Sequence, residues 1–129
     1  MPQESERRRA EAEEDWTTAE VLIREARYSA SAFYSQQCAG KTLKSYLYGL
    51  HEVPWGHSVM ELLDRVHQVQ PLDDIEELQS CARIVDRHYI GARYPNAYPS
   101  GTAAAHYDER TAMEALECAR RFLLISGEL

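Results

Sequence analysis

Five histidines are the residues of this chain best suited to bind a metal ion or move a proton. They are His51, His57, His67, His88 and His106. No two of them stand four residues apart beside a carboxylate, and the HExxH motif of zinc enzymes is absent. The spacing therefore predicts no metal site, and nothing in it calls for a cofactor. His57 comes just before a predicted helix start, which favours a structural or capping role.

Three cysteines are the candidate nucleophiles, and their positions argue against that role. Cys38, Cys81 and Cys118 are far apart, form no CxxC pair and fall on apolar helix faces. We expect them to be buried, reduced thiols of a cytoplasmic protein. A GxSxG nucleophile elbow, a Walker loop and a GxGxxG loop are all absent.

Cationic and aromatic side chains are concentrated around the peptide GARYPNAYPSG, residues 91–101. A guanidinium can bind phosphate, and a tyrosine ring can stack on a base. Lys41 and Lys44, about one helical turn apart, add a second basic spot. The predicted nucleotide-binding residues are Lys41, Lys44, Arg87, Arg93, Tyr94 and Asn96. The structural alternative is that Arg93 binds loop carbonyls and the tyrosines pack against helix ends.

Five helices, separated by breaks rich in glycine and proline, must position these residues. Apolar residues recur at helical spacing, which predicts helices over residues 5–27, 29–50, 58–70, 73–91 and 108–127. Ser58 and Glu61 fit a capping box, Asp108 is the predicted N-cap of the last helix, and Gly127 is expected to close it. Gly40 lies within the second helix, where a close approach of two helices would explain it.

The elements combine into one predicted architecture. We expect an all-α, up-and-down antiparallel helical bundle over residues 1–129, with four core helices and a fifth that is shorter or peripheral. The charged residues 1–12 are expected to be solvent-exposed and can fray. Residues 91–107 form a loop of about 17 residues, which is longer than most connections in compact bundles.

Composition limits the partners. The 129 residues carry a net charge of −7, which excludes a uniformly basic nucleic-acid binder but leaves room for a local basic patch. No apolar stretch is long enough for a transmembrane helix, and the polar N-terminus predicts no secretory signal. We therefore expect no membrane partner.

Four stretches in this order resemble the HEPN family, a family of small helical domains. They are FYSQQCAGKTLKSYL (33–47), GHSVMELLDRV (56–66), DRHYIGARYPNAYPSG (86–101) and AMEALECARRFLLIS (112–126). The resemblance implies a helical bundle that pairs as a homodimer. Many members are metal-independent ribonucleases, and others are partners of small nucleotidyltransferases in toxin–antitoxin pairs.

The ribonuclease members carry the motif R-x(4–6)-H, and this chain departs from it. Arg93 occupies the place of the arginine, but Tyr98 stands five residues on, and the nearest following histidine is His106. The resemblance thus implies Arg93, with Tyr98 or His106, as the candidate catalytic residues. Arg83 and His88 match the motif literally, yet such a pair is about 140° apart around a continuous helix.

Three hypotheses follow. The first is a dimeric nucleotide- or RNA-related interaction module that pairs with a small nucleotidyltransferase. The second is a divergent metal-independent endoribonuclease acting through Arg93 across a dimer. The third is a structural dimer without a ligand. A dimer is also expected because the second helix has more apolar face than one small bundle usually covers.

Overall fold

The structure, a computed structural model, describes residues 2–126, and all regular structure in that range is helical. The α-helices are α1 (Pro2–Arg24), α2 (Tyr28–Gly49), α3 (Val59–Val69), α4 (Ile75–Asp86), α5 (His88–Gly91) and α6 (Glu109–Ser126). Two short 3-10 helices, Pro95–Ala97 and Ala103–His106, lie between α5 and α6. The predicted all-α class is confirmed. No helix within residues 2–126 is long and apolar enough to span a bilayer.

Helices α1 and α2 form a long antiparallel hairpin. At one end the Ser31 hydroxyl donates to the carbonyl of Ala19 at 2.7 Å, and at the other the Ser5 hydroxyl donates to the carbonyl of Ser45 at 2.8 Å. Small side chains at these points let the two backbones come close together. Residues 2–12 are helical, and Ala12 is fully buried. The charged start of α1 is therefore packed along α2.

The hydrophobic core lies between α2 and the helices that surround it. Leu43 and Leu47 of α2 meet Leu63 of α3, Val85 of α4 and Phe122 of α6, all buried. Burying each of these side chains stabilises the fold by roughly 1.5–3 kcal/mol. The apolar face of α2 is covered by its own chain, so it gives no support to the expected dimer.

Helix starts follow the sequence signals, with one addition from the tertiary structure. The Ser58 hydroxyl accepts a hydrogen bond from the Glu61 amide at 3.2 Å, and Asp108 accepts from the Thr111 amide at 2.9 Å, as predicted. The carboxylate of Asp86, from the end of α4, also accepts from the amides of Val59 and Met60. Asp86 thereby fixes the end of α4 to the start of α3. The predicted stop at Gly127 lies outside the described residues.

The predicted fourth helix is divided in two, and the segment after it is anchored. Helix α4 ends at Asp86, and the short α5 follows after Arg87. The hydroxyl of Tyr98 donates to the carbonyl of Gly91 at 2.9 Å, and the Tyr107 hydroxyl lies 2.7 Å from Nδ1 of His88. The two tyrosines thus hold the connection over residues 91–107 against α5.

Candidate functional site

Arg93 lies just after α5 and is surrounded by aromatic rings. Its guanidinium carbon is 4.4 Å from the ring centroid of Phe33 and 5.0 Å from those of Tyr89 and Tyr94. Its Nε donates to the carbonyl of Tyr89 at 3.1 Å, which turns the side chain back over the rings. We call Phe33, Tyr89, Arg93 and Tyr94 the arginine–aromatic surface.

The charge of Arg93 has no carboxylate partner within residues 2–126, because none of the ion pairs in that range includes it. The side chain is exposed. Contact with the rings stabilises the cation by about 0.5–1 kcal/mol per pair at an exposed site. Its terminal nitrogens remain available for an anion, and the fork of a guanidinium suits phosphate. The structural alternative is present too, since one of its nitrogens binds a main-chain carbonyl.

His57 connects this surface to a second feature. Its ring stacks on Tyr89, with centroids 5.2 Å apart and 17° between the ring planes. Its carbonyl accepts a hydrogen bond from Nε2 of Gln36 at 2.9 Å, which ties the loop before α3 to α2. The predicted structural role of His57 therefore coexists with a position between two candidate binding features.

The second feature is a pocket of about 190 Å³, which we call the basic pocket. Its lining comes from α1, α2, the loop before α3, and α3. The lining residues are Arg8, Gln36, Gln37, Gly40, Lys41, Lys44, His57 and Leu62. A close helix approach does not explain Gly40, because a Cβ built there would meet no atom within 4 Å once the backbone of its own helix is set aside. Gly40 instead leaves space on the pocket wall.

The three cations of the basic pocket differ in their partners. Lys41 binds the carboxylates of Asp15 at 2.8 Å and Glu11 at 3.5 Å. Arg8 pairs with Glu4 through its Nε at 3.1 Å. Lys44 has no carboxylate within 4 Å in the described part of the chain. Burial, and then the charges of Arg8 and Lys41, lower the pKa of Lys44.

The candidate catalytic residues fall into two groups within one chain. Tyr98 and His106 stack on each other at 4.0 Å between centroids, with the rings nearly parallel. The Tyr98 hydroxyl is bound to Gly91, and Nε2 of His106 is 2.7 Å from the carbonyl of Ser100. Arg93 is held by Phe33 and Tyr89 instead. Arg87 and Asn96, predicted to bind nucleotide, are exposed, and neither lines the basic pocket.

The literal motif formed by Arg83 and His88 does not make a site. Arg83 is exposed, whereas His88 is buried and bound to Tyr107. Burial, and then the charge of Arg87, lower the pKa of His88 to about 4. His88 is therefore neutral at pH 7 and packs inside the molecule.

The cysteines are free and buried, as expected. Burial raises the pKa of the Cys38 thiol to about 12, so this residue is not a ready nucleophile. Between residues 2 and 126, no cluster of three or more His, Cys, Asp or Glu side chains could hold a metal ion.

Sequence reasoning misses two contributors to these features, Phe33 and Arg8. In the sequence, Phe33 only widens the apolar face of α2, and Arg8 only belongs to a solvated charge run. The signal is weak because Phe33 and Arg93 are far apart in the chain. Only the packing of α2 against α5 brings them together.

These features define a small all-α bundle with a cationic and aromatic surface at one end. A family profile described as the HEPN domain matches residues 5–129. The chain therefore belongs to the HEPN domain family, and the resemblance seen in the sequence is confirmed.

Solved structures agree with this assignment. TT1696 from Thermus thermophilus superposes with a TM-score of 0.89 at 31% identity, covering 99% of this chain and 98% of that one. ST0689, an archaeal HEPN homologue, gives 0.80 at 31% identity, covering 96% and 95%. An HEPN domain protein from Thermotoga maritima gives 0.76 at 23% identity, covering 95% of each chain, and shows the fold alone. No curated protein sequence is significantly similar to the chain.

Proposed function

We propose that this HEPN domain is a dimeric nucleotide- or RNA-binding interaction module of the cytoplasm that pairs with a small nucleotidyltransferase. The observation that carries the binding part is Arg93, an exposed guanidinium held over three aromatic rings without a carboxylate partner among the described residues. Arg93 packs against rings but has no carboxylate partner among the described residues, so its positive charge is available to an anionic ligand. Tyr94, 44% exposed, offers a ring on which a base can stack.

The basic pocket supports the same proposal. It adds three basic side chains next to His57, which touches the aromatic group through Tyr89. The net charge of −7 gives the chain as a whole no attraction for nucleic acid. Local groups of cations would confine binding to the part of the surface that carries them.

Pairing with a nucleotidyltransferase, in a toxin–antitoxin arrangement, rests on the family resemblance alone. A small nucleotidyltransferase gene adjacent to the gene of this chain would support it. The two products would then be expected to co-purify after co-expression. Failure of well-folded products to co-purify would count against the pairing and leave the binding part standing.

Replacing Arg93 by alanine tests the binding part. Fluorescence anisotropy with a short single-stranded RNA and calorimetry with nucleotides would compare wild type, Arg93→Ala and Arg120→Ala. Arg120 is the matched control, an exposed arginine on α6 that pairs with Glu117. We expect Arg93→Ala to weaken binding about tenfold, the equivalent of about 1.4 kcal/mol, and Arg120→Ala to leave it unchanged. Binding should also weaken with added salt.

Two outcomes would change the conclusion. If no RNA or nucleotide binds to the folded wild type, the binding proposal is wrong. If the RNA is cleaved with EDTA present, and Arg93→Ala abolishes cleavage, the ribonuclease hypothesis replaces it.

A further inference from the structure

Lys44 is a partly buried cation whose charge is not compensated. The nearby carboxylates are taken by its neighbours, since Asp15 and Glu11 bind Lys41, and Glu4 binds Arg8. The lining of the basic pocket itself contains no acidic side chain. An ammonium group placed among other cations, out of full contact with water, is electrostatically unfavourable unless an anion joins it. An anion beside Lys44 would supply the partner that this cation lacks among the described residues.

The size of the pocket limits what that ligand can be. Its volume of about 190 Å³ equals the space of roughly six water molecules. Sites that enclose a whole small-molecule ligand usually measure about 300–1,000 Å³. A phosphate group with a few waters fits, whereas a complete nucleotide does not. Gly40 contributes to this space because it has no side chain.

Some polar groups that line the basic pocket already make hydrogen bonds within the protein and are not available to an anion. Gln36 donates to the carbonyl of His57 and to Asp86, and Gln37 donates to the side-chain oxygen of Gln36. The Nε of Arg8 is used by Glu4, which leaves its terminal nitrogens. Lys44 and Arg8 are therefore the main donors available to an anion in the pocket.

The pocket and the arginine–aromatic surface share one wall. His57 lines the pocket and stacks on Tyr89, and Tyr89 lies under Arg93. A ligand whose phosphate sits beside Lys44 can therefore extend past His57 toward the rings. A terminal phosphate fits a pocket of this size, whereas a phosphodiester inside a strand would have to lead the chain out of it on both sides.

We propose that the basic pocket binds a terminal phosphate monoester through Lys44 and Arg8, with the attached nucleoside lying on the arginine–aromatic surface. This inference rests on the proposed function and adds to it a requirement for a phosphate end. A free mononucleotide and the 5′ end of an RNA strand both present this group, and the test separates them.

The test measures the gain in affinity due to the phosphate. One comparison is AMP with adenosine, and the other is one RNA oligonucleotide with a 5′-phosphate or a 5′-hydroxyl end. For wild type we expect at least about a tenfold preference for the phosphorylated form in one of the two comparisons. The comparison that shows the preference identifies the source of the phosphate.

Two variants locate that preference. Lys44→Gln removes the charge, and Gly40→Leu fills the pocket without removing any charge. Both should bring the ratio close to one, chiefly by weakening the binding of the phosphorylated form, and Lys44→Arg should retain the ratio. Arg93→Ala should weaken both forms equally. Circular dichroism would establish that each variant is folded.

The possible failures are distinguishable. If wild type binds RNA or nucleotides without preferring the phosphorylated form, or if both variants keep the preference, the pocket assignment is wrong and the proposed function stands. If nothing with a nucleoside binds, the proposed function is wrong. The pocket is then judged by titrating inorganic phosphate and following the Lys44 side chain by NMR. A shift that Gly40→Leu abolishes supports it, and no shift overturns it.

Discussion

At the scale of single residues, His88 shows how the fold changes an ordinary side chain. It is buried beneath the connection between α5 and α6, with Nδ1 2.7 Å from the Tyr107 hydroxyl. Its pKa is lowered to about 4 by burial and by Arg87. In the unfolded chain the pKa of a histidine is about 6.5. The folded form therefore binds this proton less readily than the unfolded form does.

The first residue-scale prediction concerns acid stability. Because the unfolded state binds the proton first, the contribution of His88 is fully present above pH 6.5 and is lost as the pH falls toward 4. The free energy of unfolding should decrease by roughly 1.4 kcal/mol per pH unit across that window from this group. Urea unfolding at a series of pH values would measure the slope.

A neutral replacement isolates this contribution from those of the carboxylates. His88→Gln should unfold at lower urea than wild type at pH 7, since the packing around Tyr107 is disturbed. The difference between the two proteins should shrink as the pH falls from 6.5 to 4. Parallel curves for the two proteins over that range would contradict the assignment.

The sequence predicts the role of a residue when its interaction partners are close to it along the chain. Arg93 and Lys44 could be chosen because their types and local neighbours suggested phosphate chemistry. Phe33 and Arg8 could not, because their role exists only after α1, α2 and α5 have packed. The ion pair of Lys41 with Asp15 was hidden for the same reason. Sequence reasoning therefore grouped Lys41 with Lys44, whereas their electrostatic surroundings differ.

At the scale of elements, the start of α3 carries the clearest dependence on tertiary structure. Asp86 accepts from the amides of Val59 at 2.9 Å and Met60 at 3.0 Å, and from the Ser58 hydroxyl at 3.3 Å. These amides are among the donors that a helix N-terminus leaves without an intrahelical partner. A carboxylate there also opposes the positive end of the helix dipole.

Asp86→Ala should therefore destabilise the protein by about 1–2 kcal/mol, the usual cost of losing a strong N-cap. Chemical denaturation at pH 7 would measure it. Asp74→Ala is the matched control, because Asp74 precedes α4 but makes no capping hydrogen bond through its side chain. The control should lie within about 0.5 kcal/mol of wild type. An equal loss for both variants would show that Asp86 acts only as a surface charge.

Helix boundaries were predictable where the cap is local and not where it is remote. Ser58 and Asp108 identified their helices because each accepts from an amide three residues later. The break at Arg87 was not predicted, because the apolar spacing continues through Tyr89. The end of α1 is also earlier than predicted, since Ala26 takes a positive φ of 58° and the amide of Arg27 turns back to the carbonyl of Leu22. A glycine usually marks such an end, and here an alanine occupies it.

At the scale of the whole molecule, the helical class followed from periodicity, and the family followed from four ordered stretches. The sequence argument for a dimer was that the apolar face of α2 needs a second copy to cover it. The structure removes that argument, because the other helices of the same chain cover this face. Members of the HEPN family are often dimeric. On this chain, Ile90 and Tyr94 expose 48% and 44% of their surface beside Arg93. Ile90, exposed next to the candidate site, is a suitable place for a second copy to pack.

We therefore expect a homodimer in which Ile90 is buried and the two Arg93 side chains approach one shared groove. Sedimentation velocity at micromolar concentration should give a mass near twice 14.8 kDa. Ile90→Asp should shift the protein to monomer, because a carboxylate buried without a partner is costly. Met113→Asp, at a residue on α6 that is 51% exposed, is the matched control and should remain a dimer. A monomeric wild type would overturn the dimer. Dissociation by Met113→Asp alone would place the contact between the two copies elsewhere. Ligand binding by a monomer would then have to depend on one arginine–aromatic surface and one basic pocket.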